Sequence, residues 1–303
     1  MKNKYFDIFM FCLLAGAMGF IGATGIWFLL RAVHIATDYL WIFIPRSVGI
    51  DGTLVYNLAI CLTGGLIIGI IQDRFGPLPD NLEQVMARIK GNGSYPYKRL
   101  HIIAVAFVMP LIFGGAVGPE AGLSGIIAGL CCLIGDNLKY KGDRLTTLAE
   151  TGLATSLGVI FGAPLFGIVS NLEPDDKGEN YRQKLVTKRT RIIIYCFGVA
   201  GGMLSFRLLG NIFDASLGLP RFYARHAIGL DQWKWFIPLL AIGLAFSLYY
   251  QYIDRLTLFL RGKLGKHAVI SSLIAGLTVA VCGHFLPMTM FSGEQEQIGR
   301  AHV

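Results

Sequence analysis

The sequence predicts an all-α, polytopic membrane protein whose helices are interrupted within the apolar layer, and three observations predict it. Hydrophobic residues make up 54% of the chain and charged residues 15%, where a water-soluble domain carries roughly 25% charged. The charges are clustered, leaving apolar stretches close to the roughly 20 residues a helix needs to cross a hydrocarbon core. Glycine and proline then fall together at three places where these stretches begin or end, which marks broken helices rather than continuous ones.

Taken in order, the elements begin with Lys2 and Lys4 ahead of a long apolar stretch that has no small-residue cleavage site, so a retained first helix is expected. Spans are expected over residues 8–30, 54–71, 100–113, 123–134, 145–161, 191–209, 236–252 and 268–286. Two pieces between them are too short to cross alone: residues 80–90, amphipathic and following Pro79, and residues 164–173, about half a membrane deep. Most basic residues sit at Lys2 and Lys4 and in residues 74–99, 182–191 and 255–267, whereas residues 34–53 hold only Arg46 among lysines and arginines. The positive-inside rule places the basic loops and the N-terminus in the cytoplasm, and residues 34–53 and 211–232 outside, although Arg221 and Arg225 run against the second assignment. Topology therefore accounts for the formal net charge of +8 without a nucleic-acid partner. All six cysteines lie in or beside apolar runs with no metal-ligand spacing, and are expected to be small core residues.

A faint internal repeat is present. Leu13-Leu14-Ala15 is echoed by Leu239-Leu240-Ala241, and Gly64-Gly65-Leu66 by Ala275-Gly276-Leu277. One copy would begin inside and the other outside, the inverted arrangement with which transporters build a site near the midplane. The expected organisation is a first transmembrane repeat over residues 1–210, an extracellular linker over 211–233, an incomplete second repeat over 234–297 and a non-native tail over 298–303.

The three breaks are Phe75-Gly76-Pro77-Leu78-Pro79-Asp80, Gly114-Gly115-Ala116-Val117-Gly118-Pro119-Glu120 and Phe161-Gly162-Ala163-Pro164-Leu165. In each, proline is expected in the first helical turn, where its missing N–H goes unnoticed. A helix start inside the membrane exposes backbone N–H groups and the positive end of the helix dipole, which is tolerable beside a polar cavity or an anion. Converging starts would hold an anion with neutral dipoles, a hold weak enough for conduction. Packed helix kinks are the structural alternative.

The motifs resemble those of the CLC chloride channels and proton-coupled chloride antiporters. Gly115-Ala116-Val117-Gly118-Pro119 is similar to the family's Gly-Arg/Lys-Glu-Gly-Pro signature. Gly162-Ala163-Pro164-Leu165-Phe166-Gly167-Ile168, ending in Leu172-Glu173, resembles its Asn-Ala-Pro-Leu-Ala-Gly-Ile stretch, and Gly76-Pro77-Leu78-Pro79-Asp80 stands where the family has Ser-Gly-Ile-Pro-Glu. The resemblance implies a CLC-type fold and an anion site at Gly76, Pro77, Leu78, Gly115, Ala116, Val117, Gly118 and Pro119. It also implies a homodimer in the plasma membrane that transports chloride or another small inorganic anion, without a cofactor and without enzymatic activity.

Departures from the family pattern narrow that function. The family's gating glutamate falls on Val117, its inner proton-transfer glutamate on Pro174 next to Glu173, and its chloride-touching serine on Gly76. A side chain that cannot be protonated at position 117 favours passive conduction over proton-coupled exchange. Glu120 and Glu173 stay as candidates for a displaced gate or proton site, Glu120 otherwise serving as a first-turn acid. Glu150 and His284 are further ionisable residues, both expected near span ends. The family's later Gly-x-Phe-x-Pro and tyrosine motifs are not found, and residues 298–303 match the translation of a sequencing adapter, so a truncated second repeat is expected. Two other readings compete: a non-conducting membrane scaffold, and an intramembrane serine protease using Ser124 of Gly122-Leu123-Ser124-Gly125 with His284 as base.

Overall fold

The computed structural model describes residues 2–50, 53–172, 187–214, 234–264 and 267–291, and among the described residues there is no strand. The helices are α1 (Lys2–Asp38), a π-helical turn (Tyr39–Phe43), α2 (Ile44–Val48), α3 (Leu54–Phe75), α4 (Leu82–Asn92), α5 (Leu100–Ile112), α6 (Pro119–Asn137), α7 (Asp143–Ile160), α8 (Pro164–Ser170), α9 (Lys188–Ile212), α10 (Phe236–Leu264) and α11 (Ala268–Phe285). A 3-10 turn, Pro287–Thr289, follows α11. Among the described residues, five segments are long and apolar enough to cross a membrane: Phe6–Val48, Leu54–Phe75, Lys188–Ile212, Phe236–Phe259 and Ala268–Phe285. Residues 173–186, most of the expected linker and the expected tail over 298–303 lie outside the described residues.

Two expected loops are helical instead. Residues 34–53 were to lie outside as a loop, yet helix continues to Val48, because no proline intervenes before Pro45, which sits acceptably in the first turn of α2, and the stop comes only at Gly49, with φ of 72°. Residues 255–267 were to form a basic loop, yet α10 runs to Leu264; Gly262 alone is too weak a breaker to end it.

Small residues set the helix crossings. A Cβ on Gly19 would collide with the Gly198 carbonyl, and one on Gly201 with the Gly16 carbonyl, so α1 and α9 meet backbone to backbone. The same holds for α3 and α11: a Cβ on Gly65 would lie 2.6 Å from the Ser272 oxygen, and one on Gly276 2.5 Å from the Cys61 oxygen. Gly65 and Gly276 belong to the echoed segments, which therefore cross each other. Cys12, Cys61, Cys131 and Cys132 are buried as expected, but Cys196 and Cys282 are exposed. Their faces of α9 and α11 look outward, so apolar sequence context did not distinguish core from periphery.

Helix α7 is enclosed by its neighbours, and every residue from Thr147 to Ile160 is buried. Its hydroxyls turn back onto their own helix: Thr147 donates to Asp143 O at 2.7 Å, Thr151 to Thr147 O at 2.7 Å, Thr155 to Thr151 O at 2.8 Å and Ser156 to Leu153 O at 2.8 Å. With their polar atoms satisfied, Thr151 and Thr155 present methyl groups to Gly198 and Gly202 of α9. One ionic cluster ties α7 to α9. Arg191 Nη2 donates to Asp143 Oδ1 at 2.6 Å, Arg191 Nη1 lies 3.5 Å from Glu150 Oε2, and the Tyr195 hydroxyl donates to the same Glu150 oxygen. Glu150, expected near a wetted span end, is buried, and so is Arg191.

Candidate anion site

The three breaks are not built alike. Pro119 begins α6 behind Gly118 as N-cap, and Pro164 begins α8 behind Ala163, as proline in the first turn allows; neither N-cap carries a side-chain acceptor, so neither helix has a side-chain cap. The start of α4 departs from the expectation. Its N-cap is Asn81, whose side chain accepts from the Gln84 amide at 2.8 Å while Gln84 Oε1 accepts from the Asn81 amide at 3.0 Å. This capping box satisfies α4 with its own side chains, so Pro77 and Pro79 precede the helix instead of heading it.

Residues 76–80 consequently offer few free donors. Gly76, at φ 89°, gives its amide to Gln72 O at 2.9 Å, and Pro77 and Pro79 have none, leaving the amides of Leu78 and Asp80. Asp80 is buried and accepts from the Tyr95 hydroxyl at 2.9 Å and from Arg88 Nη2 at 3.1 Å. Burial pushes the Tyr95 phenol above its ordinary range, and the Asp80 carboxylate adds to the shift, so this phenol stays a donor. Leu78 packs on an apolar cluster that includes Tyr95, Leu153 and Leu157, and Phe161 from the third break packs on the same cluster.

Residues 112–118 form the better-defined loop. Here α5 ends and every carbonyl from Ile112 to Gly115 finds a donor. Trp41 Nε1 donates to Ile112 O at 2.9 Å, Cys61 Sγ to Phe113 O at 3.7 Å, the Phe291 amide to Gly114 O at 3.1 Å and the Val117 amide to Gly115 O at 2.9 Å. The Gly115 amide turns back to Pro110 O at 2.8 Å. Of the loop amides expected to hold an anion, those of Gly115 and Val117 are thus engaged locally. The amides of Ala116 and Gly118 have no hydrogen-bond partner among the described residues. Gly114 is required at its place: its φ is 82°, and a Cβ there would lie 2.6 Å from Met290 Cε and 3.2 Å from Trp41.

The expected residues are distributed as follows. Val117 is exposed at the loop, beside Ala116. Pro119 and Glu120 are the first two residues of α6, but their side chains lie outside what the structure describes, and Glu173 lies outside the described residues altogether. Loop 112–118 and loop 76–80 attach at different levels of α3: Cys61 touches Phe113, while Gly76 follows Phe75, fourteen residues or about 21 Å further along the helix axis. Ser124 is fully buried on α6, His284 is half-buried with its ring edge-on to Phe285, and no hydrogen bond joins the two among the described residues. No cluster of three or more metal-ligating side chains occurs among the described residues.

Residues 64–301 match the family model described as voltage gated chloride channel. The chain belongs to the CLC family. Among solved structures, this CLC chain is similar to a slow cyanobacterial Cl−/H+ antiporter, at 16% identity and a TM-score of 0.75; the match covers 94% of this chain and 66% of that one. At that identity the likeness shows the fold, an all-α, multi-pass membrane architecture. A comparison with curated proteins gave no match. In the CLC frame, the features that sequence reasoning missed are the outer donors to residues 112–114. Trp41, Cys61 and Phe291 are 52 or more residues distant from Phe113 or lie on other elements, and no local pattern signals them.

Proposed function

We propose that this CLC chain contributes a chloride or small-anion pathway of the passive kind, with Ala116 and Gly118 at the start of α6 supplying backbone amides to the anion. One observation carries the reading: at the uncapped N-terminus of α6, the exposed side chain is Val117, which has no proton to exchange. Two unpartnered amides next to the positive end of a helix 19 residues long attract an anion without a fixed charge, and an ion held that way can leave. Loop 76–80, which attaches about 21 Å further along α3 and has Gly76 in place of a hydroxyl residue, offers the pathway only the amides of Leu78 and Asp80. The protein would work as a homodimer in the plasma membrane, as the family resemblance implies, with the cytoplasmic N-terminus that the distribution of basic residues favours.

A proton-coupled exchanger is the second reading, and the position of Glu120 at the second residue of α6 supports it, as does the antiporter identity of the similar structure. Family membership weighs against the protease reading, and the burial of Ser124 agrees. The experiment is anion efflux from liposomes reconstituted with the complete protein, with and without a proton gradient. Efflux indifferent to the gradient is expected, and Val117→Glu should make it pH-dependent by installing a titratable group at the loop. Proton uptake in fixed ratio to chloride would sink the passive reading, and efflux of no anion would leave the scaffold reading.

A further inference from the structure

An anion loop must do two things with its backbone: aim N–H groups at the ion and keep C=O groups, whose oxygens repel it, turned elsewhere. The second task needs donors on the far side. Residues 112–114 have three, each from a different part of the fold. Cys61 reaches Phe113 O from α3, and the Phe291 amide reaches Gly114 O from the segment after α11. The third donor, Trp41 Nε1 to Ile112 O, is the shortest of the three at 2.9 Å.

Trp41 is held in turn. It lies on the π-helical turn Tyr39–Phe43, where an extra residue breaks the helical register between α1 and α2 and rotates the side chains of the turn. The Tyr56 hydroxyl of α3 donates to Leu40 O in that turn, and the Tyr56 ring stands edge-on to the indole at 6.4 Å. On its other side the indole meets Phe291 edge-on at 5.4 Å and lies against Gly114. The indole is therefore bracketed by α3, the segment after α11 and the loop itself.

We propose that Trp41 is a positioning residue of the anion pathway, its indole N–H fixing the Ile112 carbonyl outward and so setting the angle at which the Ala116 and Gly118 amides meet the ion. The inference rests on the reading of residues 114–118 as the anion loop. A donor that only filled space would not influence which anion passes; a donor that sets amide direction changes the fit of chloride relative to planar nitrate or larger thiocyanate.

The chain supplies its own control in Trp27, an indole buried on α1 whose N–H has no partner among the described residues. The complete protein is reconstituted in liposomes as wild type, Trp41→Phe and Trp27→Phe, and efflux of chloride, nitrate and thiocyanate is compared within each. For Trp41→Phe the anion flux ratios are expected to shift by about two- to tenfold, the span that the loss of one hydrogen bond allows, while Trp27→Phe keeps the wild-type ratios. Replacing Trp41 with benzothienylalanine, which keeps the bicyclic shape and puts sulfur where the N–H was, should reproduce the shift even if the phenylalanine variant does not fold. Wild-type ratios in a folded Trp41 variant overturn the proposal, as does an equal shift in Trp27→Phe. A wild type that passes no anion overturns the transport reading itself, and the role of Trp41 with it.

Discussion

Helix α10 is strongly apolar and exposed at every residue from Phe236 to Phe259, whereas α7 carries Thr147, Glu150, Thr151, Thr155 and Ser156 and is buried at every residue from Thr147 to Ile160. In water the assignments would be reversed. In a membrane the outer solvent is as apolar as leucine, so hydrophobicity gives no reason to bury α10, while a carboxylate or hydroxyl is stable only where the protein supplies its partners. The difference teaches that in this fold polarity, not apolarity, marks the centre. Glycine marks it too, since α7 touches α9 through threonine methyls lying on Gly198 and Gly202.

Three substitutions probe that contrast. Arg191→Ala should have the largest effect, because it removes the guanidinium beside the buried Glu150 carboxylate; a loss of about 3–5 kcal/mol is expected, seen as a lower thermal midpoint or aggregation of the detergent-solubilised protein. Unchanged stability would mean that the cluster is not the centre of the α7–α9 contact. Gly198→Leu comes next. With no room beside Thr151, overpacking should cost about 1–3 kcal/mol, and a variant with full stability would show that α7 and α9 can separate freely. Leu244→Ala on α10 should stay within about 0.5 kcal/mol of wild type. A cost of core size at Leu244 would erase the contrast and place α10 inside a packed surface of the complete protein.

Much of this was legible in the sequence, and the parts that were not share a physical reason. Breaks at Pro119 and Pro164 could be read because proline excludes all but a few local conformations; the glycine echo of 64–66 in 275–277, read as an inverted repeat, falls on helices whose crossing it did not announce. The Asn81 and Gln84 pair was also available as a capping-box spacing, and weighing it against Pro79 would have moved the start of α4 to Leu82. Continuity of helix from α1 through α2 to Val48 was hidden by positive-inside reasoning, which reports the side of the membrane but not whether the backbone is helical. Inward-facing Arg191 and the role of Trp41 depend on partners 41 to 71 positions away. Such pairings arise only when helices are packed, and a basic residue at the start of α9 looks like any other basic residue near a membrane surface.

The length of α1 has its own consequence. Its 37 residues make a rod of about 55 Å, nearly twice the ~30 Å hydrocarbon layer, and even a tilt of about 40°, the upper end of the usual range, leaves some 12 Å outside it. The ends are suited to emerge: Lys2, Asn3 and Lys4 at one, Arg31, His34 and Asp38 near the other. Because Gly16 and Gly19 fix this rod against α9 near its middle, the polar ends cannot be drawn in by sliding. A change of bilayer thickness is met by deforming the lipid or by changing the slope of α1, and a change of slope carries with it the π-helical turn at the far end of α1 and Trp41 on that turn.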